Sequence, residues 1–497
     1  MDNTVHDRHE AAAKTVQNES TYSNWIDGQP SSASSEESIS TLDPAISEPI
    51  TAVPRSKQTD IELAVTAANE AAAGWSSHTP IERASIIREW ISTLEEHREA
   101  LGLIESLDTG KPKQFALDEV DTAIEYLHYY AGVAQGIQGE HLSQGPDTHA
   151  YVRKEPYGIA GLILPWNYPI DLFAWKAGAA LAAGNTVVAK PSEEAPLSIT
   201  RVAQLSQGIL PDGVLNIVNG YGTEAGAALT SHEAIDKLSF TGSVNVGKTV
   251  MHAAAESVTP VTLELGGKSP FIVFEDADIR QAAKTAASGL FYNTGQSCDA
   301  CSRILVQNSI HDAFIDEFIS ETENSWIPGD PLAPDTTMGP LAFSDQLNKV
   351  EEYIDIGQSE GANLLKGGGR PANEDLDDGL FIEPTIFSSV DNSSRIAQEE
   401  IFGPVQSIIT FESYDEAIEL ANDVRYGLAS GVATEDISTA HKAAADIDAG
   451  SVWINEYHGG GPGVPFGGFK ESGFGRECAA ETVEEYTHSK SVTIALD

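Results

Sequence analysis

Hydrophobic positions change their spacing along the chain, and the change predicts where helices give way to strands. Between Asp60 and Tyr130 apolar residues recur at helical spacing, as in IERASIIREWISTLEEHREALGLIESL. Further on, short β-rich apolar runs alternate with alanine-rich helical ones, as where YGIAGLILPWN precedes LFAWKAGAALAAG and NTVVAKPSE precedes LSITRVAQLSQGI. This alternation predicts right-handed βαβ units around a parallel sheet, so the predicted fold class is α/β.

The same alternation restarts at VTLELGGKSPFIVFEDADI and predicts a second α/β region. Helices are predicted around Ile279–Leu290 and Ile310–Thr322, and the later runs VQSIITF and GSVWINE are predicted as strands. A chain of 497 residues is long enough for two or three domains with substantial cores.

The N-terminal segment differs from the rest because it is polar. Residues 1 to about 45 are rich in Ser, Glu and Asn, and residues 1–20 are predicted to form a mobile tail. The segment lacks the apolar core of a secretory signal, and no apolar run approaches the ~20 residues that span a bilayer. Three cysteines fit a reducing compartment, so we expect a cytoplasmic protein.

The charge balance is strongly acidic, with 75 acidic against 29 basic residues and a net charge of −46. Such a surface repels nucleic acid and anionic membranes, so neither is an expected partner. The acidic residues are spread along the chain rather than gathered in one tail. Diffuse acidity is explained best by adaptation to concentrated salt, which screens the self-repulsion, and we expect a halophilic source.

Polar residues follow several predicted strands directly. Ligands of open parallel sheets bind beyond the carboxyl ends of the strands, which makes these positions candidates for a site. They are Asn167, residues 190–193 and residues 241–243.

Two of the three cysteines, Cys298 and Cys301, lie together in FYNTGQSCDACSR. The C-x-x-C spacing alone suits a redox pair, half of a zinc site, or one nucleophile beside a bystander. A zinc site needs further Cys or His at ligand spacing, which Cys478 and the histidines do not supply, so no metal is predicted. A carboxylate at Asp299 that faced Cys298 would raise the pKa of the thiol. Asp299 is expected to face away, because neighbouring side chains point to opposite sides of an extended segment.

Seven short motifs occur in a fixed order along the chain. They are PWNYP (165–169), KPSE (190–193), FTGS (240–243), LELGGK (263–268), GQSC (295–298), EEIFGP (399–404) and PFGGFKESG (465–473). Each is weak alone, but together they are specific. The chain resembles the NAD(P)-dependent aldehyde dehydrogenase superfamily, non-CoA-acylating branch, over nearly its whole length from about Tyr22.

Oxidising an aldehyde to an acid needs a nucleophile, a hydride acceptor and a base that activates water. The resemblance implies that Cys298 is the nucleophile and that the Asn167 amide stabilises the oxyanion, although an isolated Asn before a proline also suits an Asx turn. Glu264 sits among apolar neighbours that should raise its pKa, and by resemblance it is the general base. Its presence argues against the CoA-acylating branch.

The resemblance also implies a cofactor, NAD in preference to NADP. A carboxylate at Glu193 would accept hydrogen bonds from ribose hydroxyls and repel a 2′-phosphate. The helix that Ser243 opens can receive a pyrophosphate at its N-terminus. The implied cofactor-binding residues are Trp166, Lys190, Glu193, Gly242, Ser243, Glu400 and Phe402.

Four aromatic residues are implied to form the aldehyde pocket, namely Tyr168, Trp175, Tyr292 and Phe466. They resemble the cage of betaine aldehyde dehydrogenases, in which a quaternary ammonium lies on π faces. Aromatic funnels also admit ordinary aldehydes, so a betaine-aldehyde-like substrate and a general one both stay open. Lys176 and Glu477 match a proton relay of some family members, and a salt bridge explains them equally well.

The implied organisation places a Rossmann-like NAD-binding domain at 21–137 and 158–263 and a catalytic domain at 264–475. Residues 138–157 and 476–497 would form a small β oligomerisation arm, which implies a homodimer or homotetramer.

Cys301 stands where the family usually has a small residue, and either it is a buried bystander or it forms a reversible disulfide with Cys298. The rival functions are a non-catalytic member of the fold, a thiol-redox protein and a general-substrate enzyme that uses NADP.

Overall fold

The computed structural model of the protein describes residues 4–496. Its α-helices are α1 (Val5–Glu19), α2 (Gln58–Ser77), α3 (Pro80–Glu96), α4 (Arg98–Thr109), α5 (Lys113–Val133), α6 (Pro169–Ala183), α7 (Leu197–Gln204), α8 (Ala227–Thr230), α9 (Val244–Ser257), α10 (Ile279–Phe291), α11 (His311–Ser325), α12 (Ser344–Ser359), α13 (Arg395–Gln398), α14 (Tyr414–Asn422), α15 (Ile437–Asp446) and α16 (Ala480–Glu485). Within the described range, none of them is both long and apolar enough to cross a bilayer.

The strands are shorter and mostly buried. They are β1 (Asn24–Ile26), β2 (Gln29–Ser31), β3 (Ser38–Asp43), β4 (Glu48–Pro54), β5 (Glu140–Ser143), β6 (Thr148–Pro156), β7 (Ile159–Ile163), β8 (Thr186–Lys190), β9 (Leu215–Ile217), β10 (Lys237–Thr241), β11 (Val261–Glu264), β12 (Pro270–Val273), β13 (Arg303–Gln307), β14 (Asn363–Lys366), β15 (Thr385–Ser388), β16 (Val405–Phe411), β17 (Tyr426–Gly427), β18 (Ala429–Ala433), β19 (Ser451–Ile454), β20 (Phe469–Lys470), β21 (Gly473–Phe474) and β22 (Thr487–Ala495).

The first large sheet has the strand order β2-β1-β9-β8-β7-β10-β11-β21. Its five central strands, from β9 to β11, are parallel, and β1 and β21 flank them in antiparallel pairing. All residues of β8 and β10 are buried, as expected for strands covered by helices on both faces. The predicted parallel α/β sheet is confirmed, and its helices include α6, whose last turn ends at Gly184 in the left-handed conformation with φ 104°.

The second large sheet has the order β14-β15-β16-β13-β12-β18-β19 and is parallel except for β14. The predicted second α/β unit is therefore present. A third, antiparallel sheet has the order β22-β6-β5 and joins the C-terminal strand to residues 140–156. The exact domain boundaries and the use of this third sheet as an oligomerisation arm stay predictions.

The N-terminal segment corrects the prediction of a mobile tail at residues 1–20. Residues 1–3 lie outside the described range, but Val5–Glu19 form α1, whose helix start is closed by a capping box between Thr4 and Asp7. His9 is fully buried, with Nδ1 2.6 Å from an Asp43 carboxylate oxygen and Nε2 2.8 Å from an Asp330 oxygen. Polar composition suggested disorder, whereas these long-range contacts fix the helix.

Candidate active site

The carboxyl ends of β7, β10 and β11 meet at one cavity of about 170 Å³. It is lined by Pro165, Trp166, Asn167, Thr241, Gly242, Ser243, Glu264, Leu265, Gly266, Cys298, Phe343, Gln346, Lys349, Glu400 and Phe402. Parallel strands that end at one edge bring their following loops together, which is why residues from distant motifs share this cavity. Five of the predicted motifs contribute to its wall.

Cys298 enters the cavity on a loop that follows α10 and a short 3₁₀ turn at Tyr292–Gly295. Within that turn Asn293 and Thr294 have positive φ angles of 51° and 57°, an uncommon conformation for residues other than glycine. The backbone of Cys298 packs closely on Gly267, where an added Cβ would lie 2.5 Å from the Cys298 carbonyl oxygen. Burial raises the thiol pKa of Cys298, and the nearby Asp299, Glu264 and Glu400 raise it further.

Asn167 lies one loop away and is buried. Its side-chain Nδ2 donates to the carbonyl oxygen of Gln296 at 3.0 Å, two residues before Cys298. An amide NH₂ group carries two hydrogens, so this bond leaves the second hydrogen for a ligand. The arrangement aims an amide donor at the neighbourhood of the thiol, as an oxyanion site requires.

Glu264 ends β11 and is buried, with its Oε2 atom lacking a hydrogen-bond partner among the described residues. Burial raises its pKa well above the ordinary value, the charge of Glu477 adds to this, and Lys176 opposes it. Gly467 makes room for the carboxylate, because a Cβ there would lie 2.9 Å from Glu264 Oε1. A partnerless carboxylate with a raised pKa is suited to accept a proton from water.

Lys176 and Glu477 form a buried ion pair beside Glu264. Ser239 Oγ also lies 3.4 Å from Glu477 Oε1. The pair is therefore an internal salt bridge, and it acts on Glu264 through opposing charges.

Asp299 corrects a prediction, because Cys298 and Asp299 lie in a turn rather than on an extended segment. The Asp299 carboxylate is close enough to raise the pKa of the thiol, second only to burial. It also faces His458, whose Nε2 lies 3.5 Å from Asp299 Oδ1. A tight turn does not alternate its side chains as a strand does, and this is why the expectation failed.

Two of the predicted cofactor residues stand at the start of α9. Ser243 is its N-cap, with its side chain accepting from the Val246 N–H at 3.4 Å, and Gly242 precedes it. The first turn of a helix offers unpaired N–H groups and a positive dipole end, which suit a phosphate group.

Glu400 closes another side of the cavity. Its carboxylate accepts from the Gly267 N–H at 3.0 Å, and a Cβ on Gly266 would lie 2.3 Å from its Oε2 atom. Burial raises the pKa of Glu400, while Lys349 and the Gly267 bond lower it. Gly266 is thus required by the close approach of the Glu400 carboxylate, and Gly267 by that of the Cys298 carbonyl.

Phe402 and Trp166 form an aromatic wall of the same cavity. Their ring centroids lie 5.2 Å apart in an edge-to-face arrangement, and Phe343 contacts Trp166 at 5.0 Å. Phe402 has a φ of 63°, and the side-chain amide of Gln346 donates to its carbonyl at 2.7 Å. This backbone conformation is strained for a phenylalanine and is held by its surroundings.

Lys190 and Glu193 lie at the carboxyl end of β8 and form an ion pair, with Nζ and Oε2 2.7 Å apart. They are not among the residues that line the cavity. Burial raises the pKa of Glu193, but Lys190 outweighs this and the net shift is downward. Glu193 is therefore held ionised, as a ribose-binding carboxylate would be.

The four predicted pocket aromatics fall into separate contacts. Trp175 and Phe466 meet edge to face at 5.6 Å, and the Trp175 indole donates to Asp171 at 3.0 Å. Tyr292 packs against a residue that sequence reasoning did not single out, Phe115, at 4.7 Å. Tyr168 has other partners: its hydroxyl shares a hydrogen bond with Ser297 Oγ, and Lys111 Nζ lies 4.3 Å from the centroid of its ring.

Cys301 is fully buried and its Sγ donates to the Ala286 carbonyl at 3.3 Å in α10. Cys298, Cys301 and Cys478 are all free thiols in the structure. Within residues 4–496, no group of three or more His, Cys, Asp or Glu side chains is arranged to hold a metal ion. Cys301 thus has the environment of a packed core residue.

Several residues of the site carried no sequence signal. Phe343, Gln346 and Lys349 reach the cavity from α12 and the residue before it. Lys111 and Asp171 lie buried behind Asn167 and Tyr168. No short motif marks these residues, because their position depends on how separate elements pack. The turn DTGKP around Lys111 is the one local hint.

The chain is similar to known proteins over nearly its whole length. Residues 31–492 match the aldehyde dehydrogenase family. An aldehyde dehydrogenase of Davidiella tassiana is 43% identical over 458 residues, covering 92% of this chain and 91% of that protein. Betaine aldehyde dehydrogenase from Staphylococcus aureus in complex with NAD+ superposes with a TM-score of 0.96 at 40% identity, covering 98% of both chains. An aldehyde dehydrogenase of Bacillus cereus in an NAD+ complex gives a TM-score of 0.94 at 41% identity, covering 97% of this chain and 99% of that one.

A doubly wound cofactor-type sheet joined to a thiol, a carboxylate and an amide at one cavity defines an oxidoreductase that acts on aldehydes. The chain belongs to the aldehyde dehydrogenase family.

Proposed function

We propose that this protein oxidises an aldehyde to the carboxylic acid with NAD, through a thiohemiacetal and a thioester on Cys298. The observation that carries the proposal is the shared cavity. Cys298, Glu264 and Asn167 line it together with the helix start at Gly242 and Ser243. Thiol, base and amide donor are the groups that this reaction needs, and they border a space suited to a dinucleotide.

The residues present fit NAD. The N-terminus of α9 suits the pyrophosphate, Glu193 suits the adenosine ribose, and the glycine-lined Glu400 suits the second ribose. Phe402 and Trp166 give an apolar wall for a flat ring. When bound, NAD accepts the hydride that leaves the aldehyde carbon.

The chain's own residues perform the remaining work. The Cys298 sulfur, once deprotonated, bonds to the aldehyde carbon, and the Asn167 amide stabilises the negative charge on the oxygen. After the carbon has been oxidised to the thioester level, Glu264 takes a proton from water. The resulting hydroxide attacks the carbonyl carbon, the carbon–sulfur bond breaks, and the acid leaves with the thiolate restored.

Absorbance of NADH formed from an aldehyde and NAD tests the proposal directly. Cys298→Ala should abolish NADH formation while NAD binding, followed by protein fluorescence, survives. The matched control is Cys301→Ala, which should keep most activity because that thiol packs against α10. Activity lost only with Cys301, or no NADH from the unaltered protein with any of a panel of aldehydes, would favour the thiol-redox and non-catalytic alternatives.

For the substrate we propose an aldehyde that carries a quaternary ammonium group. The supporting observations are the Trp175–Phe466 pair, its bond to Asp171, and the solved betaine aldehyde dehydrogenases that superpose on the chain. A desolvated cation over an aromatic face is stabilised by about 2 kcal/mol.

Betaine aldehyde is therefore expected to exceed its neutral tert-butyl isostere by about tenfold or more in kcat/KM. The isostere has the same shape and lacks only the charge. Equal rates, or a preference for the isostere, would leave an oxidiser of general aldehydes.

We further propose that the protein assembles as a homodimer or homotetramer through the β5–β6–β22 sheet. The outer strand β22 has exposed positions at Ile494 and Leu496 follows it, which leaves apolar surface beside an open strand edge. Light scattering at working salt gives the mass. A monomer mass at micromolar concentration would exclude this assembly.

A further inference from the structure

Lys111 is a fully buried cation behind the oxyanion amide. It lies in the turn between α4 and α5, which Gly110 allows by ending α4 in the left-handed conformation with φ 78°. The side chain of Lys111 has no exposed surface. Burial lowers its pKa to about 8, and the charges of Glu105 and Asp171 oppose that shift. Placing a lysine ammonium out of water is costly unless its partners compensate.

Its partners belong to the segment that carries the oxyanion donor. Lys111 Nζ donates to the backbone carbonyl of Asn167 at 3.2 Å and lies 4.3 Å from the centroid of the Tyr168 ring. Asn293 donates to the same Asn167 carbonyl at 3.0 Å from the opposite segment. The carbonyl of Asn167 is thus held by two donors while its side-chain amide is directed towards the loop of Cys298.

Glu119 completes the support from α5. One of its oxygens pairs with Lys111, and the other accepts from the Asp171 N–H at 3.5 Å. Asp171 lies in the first turn of α6, four residues after Asn167. The Lys111–Glu119 pair therefore contacts the Asn167 to Asp171 segment at a carbonyl and at an amide, which fixes both its position and its rotation.

We propose that Lys111, held by Glu119, is a positioning residue for aldehyde oxidation, and that it acts by fixing the Asn167 amide and the Tyr168 ring. This inference rests on the oxyanion role that the proposed function gives Asn167. A displacement of about 1 Å at a reacting centre can lower the rate about 10²-fold, so a rigid support matters even without contact to substrate.

The test replaces the pair together, as Lys111→Met/Glu119→Gln, since removing one partner would strand a buried charge. We expect kcat with an aldehyde and NAD to fall about tenfold or more, with NAD affinity by fluorescence changed less than about twofold. The matched control is Arg83→Met. Arg83 is also a buried cation, and it donates to the Ala182 carbonyl at 3.1 Å at the other end of α6. This control should lower the melting temperature and leave kcat nearly unchanged.

A double-mutant cycle with Asn167→Ala separates positioning from general destabilisation. If Lys111 acts through Asn167, the pair replacement should lower kcat less than about twofold further in the Asn167→Ala background. Should the double variant not fold, Glu119→Asp gives the same cycle with a smaller non-additive loss, because the shorter side chain keeps the charge of the pair and weakens its contact with the Asp171 N–H.

Equal losses in both backgrounds, or an equal loss from Arg83→Met, would overturn the positioning role and leave the proposed function intact. If Asn167→Ala alone leaves kcat unchanged, the oxyanion role itself fails, and the inference fails with it. The two failures are therefore distinguishable.

Discussion

The two sides of Cys298 are built in different ways. On the cofactor side, short consecutive segments supply most of the cavity wall, including residues 165–167, 241–243 and 264–266. On the aldehyde side, each aromatic contact joins residues far apart in sequence, as in the pairs of Trp175 with Phe466 and of Tyr292 with Phe115.

The difference follows from the kind of group that each side uses. Backbone N–H groups, glycines and helix starts need a particular local sequence, so the cofactor side carries readable motifs. Aromatic packing needs only area and shape, which many sequences supply. The cofactor side therefore carries the motifs that identify the family, whereas the proposed aldehyde side carries no motif that specifies a substrate.

The largest effect on rate is expected at Glu264, which lies between the cofactor side and the aldehyde side. Glu264→Gln removes the proposed base, so hydrolysis of the thioester should slow by about 10²–10⁴-fold. A burst of NADH from the first turnover should survive, because carbon oxidation precedes the hydrolysis. Stopped-flow absorbance measures both phases.

Glu224→Gln is the control for Glu264→Gln. Glu224 pairs with Arg55 at a partly exposed site, and its replacement should leave both the burst amplitude and the steady-state rate unchanged. If Glu264→Gln abolished the burst as strongly as the steady state, the carboxylate would act before hydrolysis and the assignment would be wrong.

On the cofactor side, Glu193→Gln should raise kcat/KM with NADP relative to NAD by about tenfold, since it removes the charge that repels a 2′-phosphate. Lys190 remains to attract that phosphate. Glu194→Gln, at the neighbouring acid that makes no ion pair with Lys190, is the matched control and should shift the ratio little. An unaltered protein that already prefers NADP would break the assignment of Glu193.

On the aldehyde side, Asp299→Ser should lower the pKa of the Cys298 thiol, because the Asp299 charge raises it after burial does. More of the thiol is then ionised at a given pH. The measurement is the rate at which iodoacetamide alkylates Cys298, followed by mass spectrometry of the Cys298 peptide at a series of pH values. The pH profile of this rate should shift to lower pH, and the rate near neutrality should rise about two- to fivefold.

The control for this change is Asp312→Ser, whose carboxylate is fully exposed on α11. It should leave the alkylation profile of Cys298 in place. A profile unmoved by Asp299→Ser would show that the turn holds the carboxylate too far from the sulfur to matter.

Salt should change the thermal stability of the protein without changing its preference between a charged and a neutral aldehyde. With a net charge of −46, the melting temperature should climb with KCl as the Debye length falls from ~10 Å at 0.1 M to ~3 Å at 1 M. Buried contacts are screened little, so the ratio of rates for betaine aldehyde and its neutral isostere should change less than about twofold. A flat melting profile would contradict the expected adaptation to salt.

Local sequence pattern determines some elements of this fold, whereas other elements depend on contacts with distant segments. The run VQSIITF was predicted as a strand and is β16, and the helix predicted at Ile279–Leu290 is α10, one residue longer. Buried strands and amphipathic helices are set by local pattern, so their types were predictable. The helix α1 was not predictable from local pattern, because it depends on the contacts of His9 with Asp43 and Asp330.

The sequence by itself determined the α/β class and the order of the seven motifs, and the family resemblance of those motifs predicted the candidate thiol, base and amide. These depend on local chemistry and on strands that are apolar throughout. Only the tertiary structure decided that the Asp299 charge raises the pKa of the Cys298 thiol, that Cys301 packs against α10 and that Lys111 donates to the Asn167 carbonyl. Those facts depend on contacts between segments as far apart in the chain as Lys111 and Asn167, which are separated by 56 residues. The packing of helices on sheets fixes such contacts, and a linear pattern does not record them.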